Sequence, residues 1–268
     1  MPDIRPFRAL RYEPEIVGDL AAVISPPYEL VDPQIAAGLQ ARHPKNAVRL
    51  DVPGDEQGDT PDDQYRRAAR TFAAWRSDGT LRKDPRPSLY IYEQAAAGAA
   101  SLGFFGRLRL EPLRPGAGVI SEDRAPTPPR DDRYKLLRAT GVNTSPIVGT
   151  YADPTGEAAQ ILAAATRANP IIDLIDESGV RHRMWSQAAE GPDAEAVGRL
   201  VAIVGAGPFT LIDGRRRYDA GLRYRDERRM SRSCEEDPAF DYILALFLEA
   251  SSSLPRPPTG LLINPLEW

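Results

Sequence analysis

The run Phe209–Tyr218 reads F-T-L-I-D-G-R-R-R-Y. An apolar strand, Phe209–Ile212, meets Asp-Gly and passes at once into a helix predicted over Gly214–Arg229. The first N–H groups of a helix have no partner within it, and the helix dipole adds partial positive charge there, so such a junction is a ready anion site. Glycine lets a phosphate approach the backbone, and Arg215, Arg216 and Arg217 can grip oxygens in pairs. Between Asp213 and Arg229 seven arginines and four acids give a local charge of +3, leaving −7 on the rest of the chain. The same residues also describe a solvated basic helix face, and spacing alone leaves both readings open.

Upstream of the junction, helices predicted at Thr155–Arg167 and Asp193–Val204 alternate with strands at Ser145–Tyr151, Ile171–Ile175 and Val180–Gln187. Ser88–Gln94 and Leu102–Leu110, rich in aromatic and aliphatic residues around a small-residue loop, read as a hairpin. Residues 112–130 carry five prolines without periodicity, a long connection able to lie over a site. A helix at Asp131–Ala139 follows. Toward the N-terminus, Ile4–Leu10, Ala21–Ser25 and Ala47–Val52 are β-like runs. Asp32-Pro33 reads as an N-cap and first helical position for a helix to about Arg42. Thr60-Pro61 opens a second helix, with Tyr65, Ala68, Ala69 and Phe72 on one face and Gly79 at its end. Downstream, Tyr242–Leu248 is an apolar run that periodicity cannot assign to strand or helix. The mixture predicts an α+β fold of mixed sheets with peripheral helices: one domain over 1–250 and an extended tail over 251–268. The apolar end of the tail is expected to dock on this chain or on a partner, which leaves a homodimer open.

The 268 residues are 42% hydrophobic and 27% charged, enough for a large core without covalent staples. A net charge of −4 argues against a polyanion binder, hence against a nucleic-acid partner. A single cysteine, Cys234, excludes an internal disulfide framework, and two histidines, His43 and His182, exclude a multi-histidine metal site. No apolar run reaches the ~18 residues of a membrane span, and the start lacks an apolar signal core, so a soluble cytoplasmic protein with no membrane partner is expected. Of 34 basic residues only Lys45, Lys83 and Lys135 are lysine. GC-rich coding accounts for that bias, yet arginine forks also suit oxyanions better than lysine point charges do. Asp51, Asp55, Glu56, Asp59, Asp62 and Asp63 read as a solvated loop and helix cap. His182, on a predicted strand between two arginines, reads as an outward structural residue.

The junction resembles the Ala-Asp-Gly-His-His-Arg-Tyr element of the family known as domain of unknown function 1015. That family resembles the ParB/sulfiredoxin-like superfamily. Ile4–Tyr12, Ser25–Val31, Asn46–Leu50, Trp75–Gly79, Leu89–Gln94, Asp132–Thr140, Asn143–Ile147 and His182–Trp185 follow its pattern in order. The chain departs from it in three places. The paired histidines are Arg215 and Arg216 here, the His-Glu-x-Thr element appears as Ser121-Glu122 before prolines, and the chain stops at Trp268. Arginine can supply the histidines' charge to a phosphate, but it cannot move a proton.

The resemblance implies a nucleotide-binding core and, through related kinases of free serine, phosphoryl transfer from ATP or ADP, with Mg2+, to a serine-like hydroxyl. In that reading Gly214, Arg215, Arg216, Arg217 and Arg133 bind the nucleotide. Glu29, after the Pro26-Pro27-Tyr28 turn, is the base, Asp213 is catalytic, and Glu122 is a magnesium ligand. The alternative is a nucleotide-binding regulator without turnover, suggested by the replaced histidines. A ParB-type nucleic-acid module is the least favoured reading. Sulfiredoxin-type reduction is disfavoured because Cys234 lies away from the glycine turn.

Overall fold

The computed structural model describes residues 1–96, 98–114, 116–121, 131–231, 236–251 and 257–266. Its main sheet runs in the order Val119–Ser121, Phe209–Asp213, Ile147–Tyr151, Tyr242–Glu249, Ala99–Arg109, Ser88–Ala96, Arg181–Ala188, Ile172–Ile175. Ile4–Arg5 adds to the Ala99–Arg109 strand. Val119–Ser121 is parallel to Phe209–Asp213, and Ile147–Tyr151 is parallel to Tyr242–Glu249; the other pairings are antiparallel. A large mixed sheet with several surrounding helices is an α+β architecture, as expected.

The run that periodicity could not assign is a central strand. Tyr242–Glu249 sends Ile243, Ala245 and Phe247 to one face and Leu244, Leu246 and Leu248 to the other, and all six are buried. A strand covered on both faces loses its alternation, which is why the pattern was silent. On the first face, helices Glu157–Ala165 and Ala194–Gly205 bury Leu162, Val197 and Leu200 against Phe104, Phe209 and Phe247. Phe104 stacks on Phe247 with centroids 4.8 Å apart, and Phe209 meets Phe247 edge-on at 4.9 Å. Glycine is required at position 149, because a Cβ there would collide with the ring of Phe209.

The second face is covered by the two ends of the chain. Phe7, Ala9 and Ile24 from the start, and Leu261 and Leu262 from the tail, pack on Tyr90, Tyr92, Phe105 and Leu246. The apolar end of the tail therefore docks on its own chain. Thr259 bridges Ser25, Ile263 bridges Leu10, and Asn264–Pro265 pairs with Val142–Asn143.

Helix Pro33–Arg42 begins as predicted, with the Asp32 carboxylate accepting from the Ile35 N–H at 2.8 Å. The second predicted helix starts at Asp63, and there the carboxylate of Asp63 accepts from Thr60 N–H at 2.8 Å and Oγ1 at 2.6 Å. Two β-like runs are helical turns instead: Leu20–Val23 and Val48–Asp51. Polar neighbours outside each run decide this. Asp19 caps the first by accepting from Ala21 N–H, and the Asn46 side chain accepts from Val48 N–H while donating to the carbonyls of Ala22 and Ile24. Among the described residues, no helix is long and apolar enough to cross a membrane.

Candidate functional site

Strand Phe209–Asp213 ends at Gly214, whose φ of +88° is the left-handed conformation that glycine adopts without strain. A Cβ there would lie 3.0 Å from the Cα and Cγ2 of Ile147 and from Arg217 Nε, tighter than side-chain carbons ordinarily pack. Helix Arg215–Ser231 follows at once. The Tyr218 N–H bonds the Gly214 carbonyl at 2.9 Å, which leaves the N–H groups of Arg215, Arg216 and Arg217 ahead of the first helical bond. The three arginines then diverge. Arg215 pairs along the helix with Asp219 at 3.0 Å, Arg216 is exposed, and Arg217 turns inward with its side chain only 10% exposed.

Arg217 gathers the candidate carboxylates. One guanidinium nitrogen lies 3.3 Å from Glu29 and the other 2.9 Å from Asp213, while its Nε is buried without a hydrogen-bond partner. Glu29 is placed by the single 3-10 turn Tyr28–Leu30, set off by Pro27 at φ −51° and ψ 139°. Glu29, Asp213, Arg217 and Ser145 line a cavity of about 390 Å3. On the far side of the same turn, sharing Pro27 and Leu30 as a wall, lies a second cavity of about 420 Å3. Ile24, Ile35 and Val180 line it together with Gln94 and Asp176. Volumes of this order hold metabolites.

Behind the first cavity stands a polar hub built on Asp51, which is 2% exposed. Its carboxylate accepts from Thr144 Oγ1 at 2.6 Å, Ser145 Oγ at 3.0 Å and Thr259 Oγ1 at 3.1 Å, and it pairs with Arg133 at 3.1 Å. Arg133 also donates to the Asp51 carbonyl at 2.9 Å. Its guanidinium lies 4.1 Å from the centroid of the Tyr28 ring, and that of Arg217 lies 5.4 Å from it. Burial, with the Glu29 charge beside it, pushes the Tyr28 phenol up to about 12. Tyr28 is thus a neutral plate between two cations, and it links the hub to Glu29.

Of the residues singled out from sequence, Glu29, Asp213 and Arg217 meet at the first cavity, and Gly214 is the buried residue that follows Asp213. Arg215 and Arg216 stand on the first turn of the helix above it. Arg133 reaches the site through Asp51 and Tyr28, beside Arg217 in a small adjoining hollow. Glu122 and Cys234 lie outside the described residues. Two readings are corrected. Asp51, grouped with a solvated acidic loop, is the buried centre of the hub. His182, read as outward, is 1% exposed, with Tyr92 Oη 2.7 Å from Nδ1 and Asp176 Oδ2 3.0 Å from Nε2. No local signal marks Asp51: Arg49 interrupts the apolar residues before it, and its burial follows from partners brought by distant segments, Thr144, Ser145 and Thr259.

Fold and site together define a mixed α/β protein whose cavity is made by a strand–glycine–helix junction facing a proline-set acidic turn. The family model described as Protein of unknown function (DUF1015) matches residues 4–255, and the chain belongs to that family. No curated protein and no solved structure matches it.

Proposed function

We propose that the protein is a nucleotide-dependent phosphotransferase acting on the hydroxyl of a small serine-like metabolite, with a ParB/sulfiredoxin-like nucleotide-binding core. One observation carries this reading: Glu29 and the glycine–arginine junction, far apart in sequence, face each other across one cavity and are joined through Arg217. Phosphoryl transfer asks a protein mainly for positioning, charge neutralisation and a carboxylate that takes the hydroxyl proton. The parts present suit those tasks. The amides of Arg215–Arg217 at the start of the helix, with the exposed Arg216 guanidinium, would hold the oxygens of a phosphate. Arg217 aims Glu29, whose side chain is 38% exposed and so open to a substrate. Among the described residues no cluster of three or more His, Cys, Asp or Glu could hold a metal by itself. Magnesium bound mainly by phosphates needs only one or two protein carboxylates, and Asp213 at the junction suits that role. The ion would neutralise charge on the transferred group. Two cavities on either side of the Tyr28–Leu30 turn give room for a donor and an acceptor.

The test is incubation of the purified chain with serine, magnesium and either ATP or ADP, with phosphoserine measured by mass spectrometry. Glu29→Gln is expected to lower kcat by about 10²–10⁴-fold with nucleotide affinity retained. Arg216→Ala should weaken nucleotide binding instead. The second reading, a nucleotide-binding regulator without turnover, is favoured by the engagement of both carboxylates with Arg217. It is the outcome if calorimetry shows nucleotide binding but neither donor yields product. Absence of heat with millimolar nucleotide and magnesium overturns both.

A further inference from the structure

The second cavity, on the far side of the Tyr28–Leu30 turn, has a chemistry of its own. Leu30 and Ile35, which line it with Ile24 and Val180, stay 49% and 40% exposed. Apolar side chains of that size gain by being covered, so the wall suits a ligand with an apolar body. Among the described residues that line it, three are charged: Arg42, Asp176 and Glu177. Arg42 pairs with Glu177, which leaves the charge of Asp176. Burial opposes that charge, but hydrogen bonds from Ser178, His182 and Val180 outweigh it and hold the carboxyl below its ordinary 3.8.

The neighbours of Asp176 decide which atoms stay open. His182 is buried, and with its pKa lowered by that burial it is neutral near pH 7. A carboxylate only accepts, so the imidazole proton sits on Nε2, 3.0 Å from Asp176 Oδ2, and Nδ1 is an acceptor. The one hydroxyl proton of Tyr92 goes to that Nδ1 at 2.7 Å. It cannot also serve Gln94 Oε1, 3.5 Å from Tyr92 Oη, so that oxygen is left an acceptor without a donor. Asp176 Oδ1 takes the Ser178 N–H, the Ser178 hydroxyl and the Val180 N–H at 2.9, 2.7 and 2.9 Å. Oδ2 takes His182 and keeps a lone pair. Ser25, also lining the cavity, is 2% exposed; Thr259 bonds both its N–H and its carbonyl, and its Oγ has no partner. Acceptors and one negative charge thus stand beside an apolar wall.

We infer that the second cavity binds a small organic ammonium ion with an apolar body. Asp176 and Gln94 accept from its N–H groups, Ser25 Oγ is the remaining acceptor, and Ile24, Leu30 and Ile35 cover its carbon chain. A carboxylate ligand is repelled by Asp176, and an alcohol forgoes the charge-assisted bond. The inference does not rest on the nucleotide reading, since it concerns the second cavity whatever the first one takes. The experiment is calorimetry of the full chain at neutral pH and fixed ionic strength with hexylamine, 1-hexanol, hexanoate and methylamine. Hexylamine is expected to bind at least about tenfold more tightly than 1-hexanol or methylamine, and hexanoate more weakly still. Asp176→Asn, which keeps the side chain's size and an acceptor for the turn, should weaken hexylamine by about tenfold and 1-hexanol by less than about twofold. Gln94→Ala should lower the amine-to-alcohol preference by about threefold, Ile35→Ala should weaken both ligands alike, and Arg216→Ala should change neither. Melting curves by circular dichroism identify a variant that fails to fold. No heat with hexylamine, equal affinity for any of the other three probes, or loss of hexylamine binding in Arg216→Ala overturns the assignment. So does an unchanged amine-to-alcohol ratio in folded Asp176→Asn, or in Gln94→Ala where Asp176→Asn does not fold.

Discussion

The centre of the sheet and the Asp51 hub are buried to the same degree but are held together by opposite means. Around Phe247 the contacts are apolar, numerous and individually small: stacked and edge-on rings, and strands covered on both faces. Around Asp51 there are few contacts, each directional, and five segments must arrive together: Val48–Asp51, the Tyr28 turn, helix Asp131–Thr140, Thr144-Ser145, and Thr259 of the tail. An apolar core loses stability in proportion to what is removed. A buried ionic hub is poor in net stability yet costly to break in half, because the surviving charge stays buried and unpaired. The sheet supplies stability, and the hub supplies the geometry that carries Tyr28, Glu29 and Arg217.

Three variants test that contrast, largest effect first. Phe247→Ala is expected to cost about 3–5 kcal/mol in urea denaturation, as large-to-small changes in a packed core do, and to leave ligand affinities unchanged if the fold persists. Asp51→Ala should cost about 3 kcal/mol by the same measurement, since it strands the Arg133 guanidinium and three hydroxyls. Unlike Phe247→Ala it should also disturb the cavity through Tyr28. Removing both charges with Asp51→Leu plus Arg133→Met is expected to recover about 1 kcal/mol or more of the single-variant loss while leaving the cavity disturbed. Equal losses in the single and double variants would show that the hub is a stability element after all.

The same contrast explains what could be read in the amino-acid order. Periodic helices, the 88–109 hairpin and the glycine junction were legible because their causes are local: spacing, an Asp32 cap, a glycine at positive φ. Gly214, Arg217, Asp213 and Glu29 were legible as candidates, but their meeting was not, since Glu29 lies at the opposite end of the chain from the junction it faces. Ala21–Ser25 and Ala47–Val52 were misread because short apolar runs fit either element, and Asp19 and Asn46 tipped them from outside. Asp51 was missed because a lone carboxylate in an acidic stretch shows its burial only when Thr144, Ser145 and Thr259 arrive from elsewhere.

His182 sharpens the contrast from within the sheet, where it is a buried titratable side chain. Strand Arg181–Ala188 places its imidazole inward, against Tyr92 and Asp176. Burial lowers its pKa below the ordinary value of 6.5, outweighing the hydrogen bond and charge of Asp176, which act in the opposite sense. The unfolded chain therefore takes up a proton at this residue at a higher pH than the folded chain does. As pH falls from above 7 toward the folded value, the unfolded state binds more protons and stability declines; below the folded value this contribution stops changing. Asp176, whose carboxyl is held below its ordinary 3.8 by its hydrogen bonds to Ser178 and His182, opposed by burial, acts in a lower window: its stabilisation is lost only as pH falls through that depressed value. The melting temperature of the wild type should thus fall between pH 7.5 and 5.5, and His182→Gln, which keeps a polar side chain but cannot titrate, should flatten that segment and leave the decline below pH 4 in place. An unchanged slope in His182→Gln would mean that the imidazole is solvated in solution and that the strand turns this face outward.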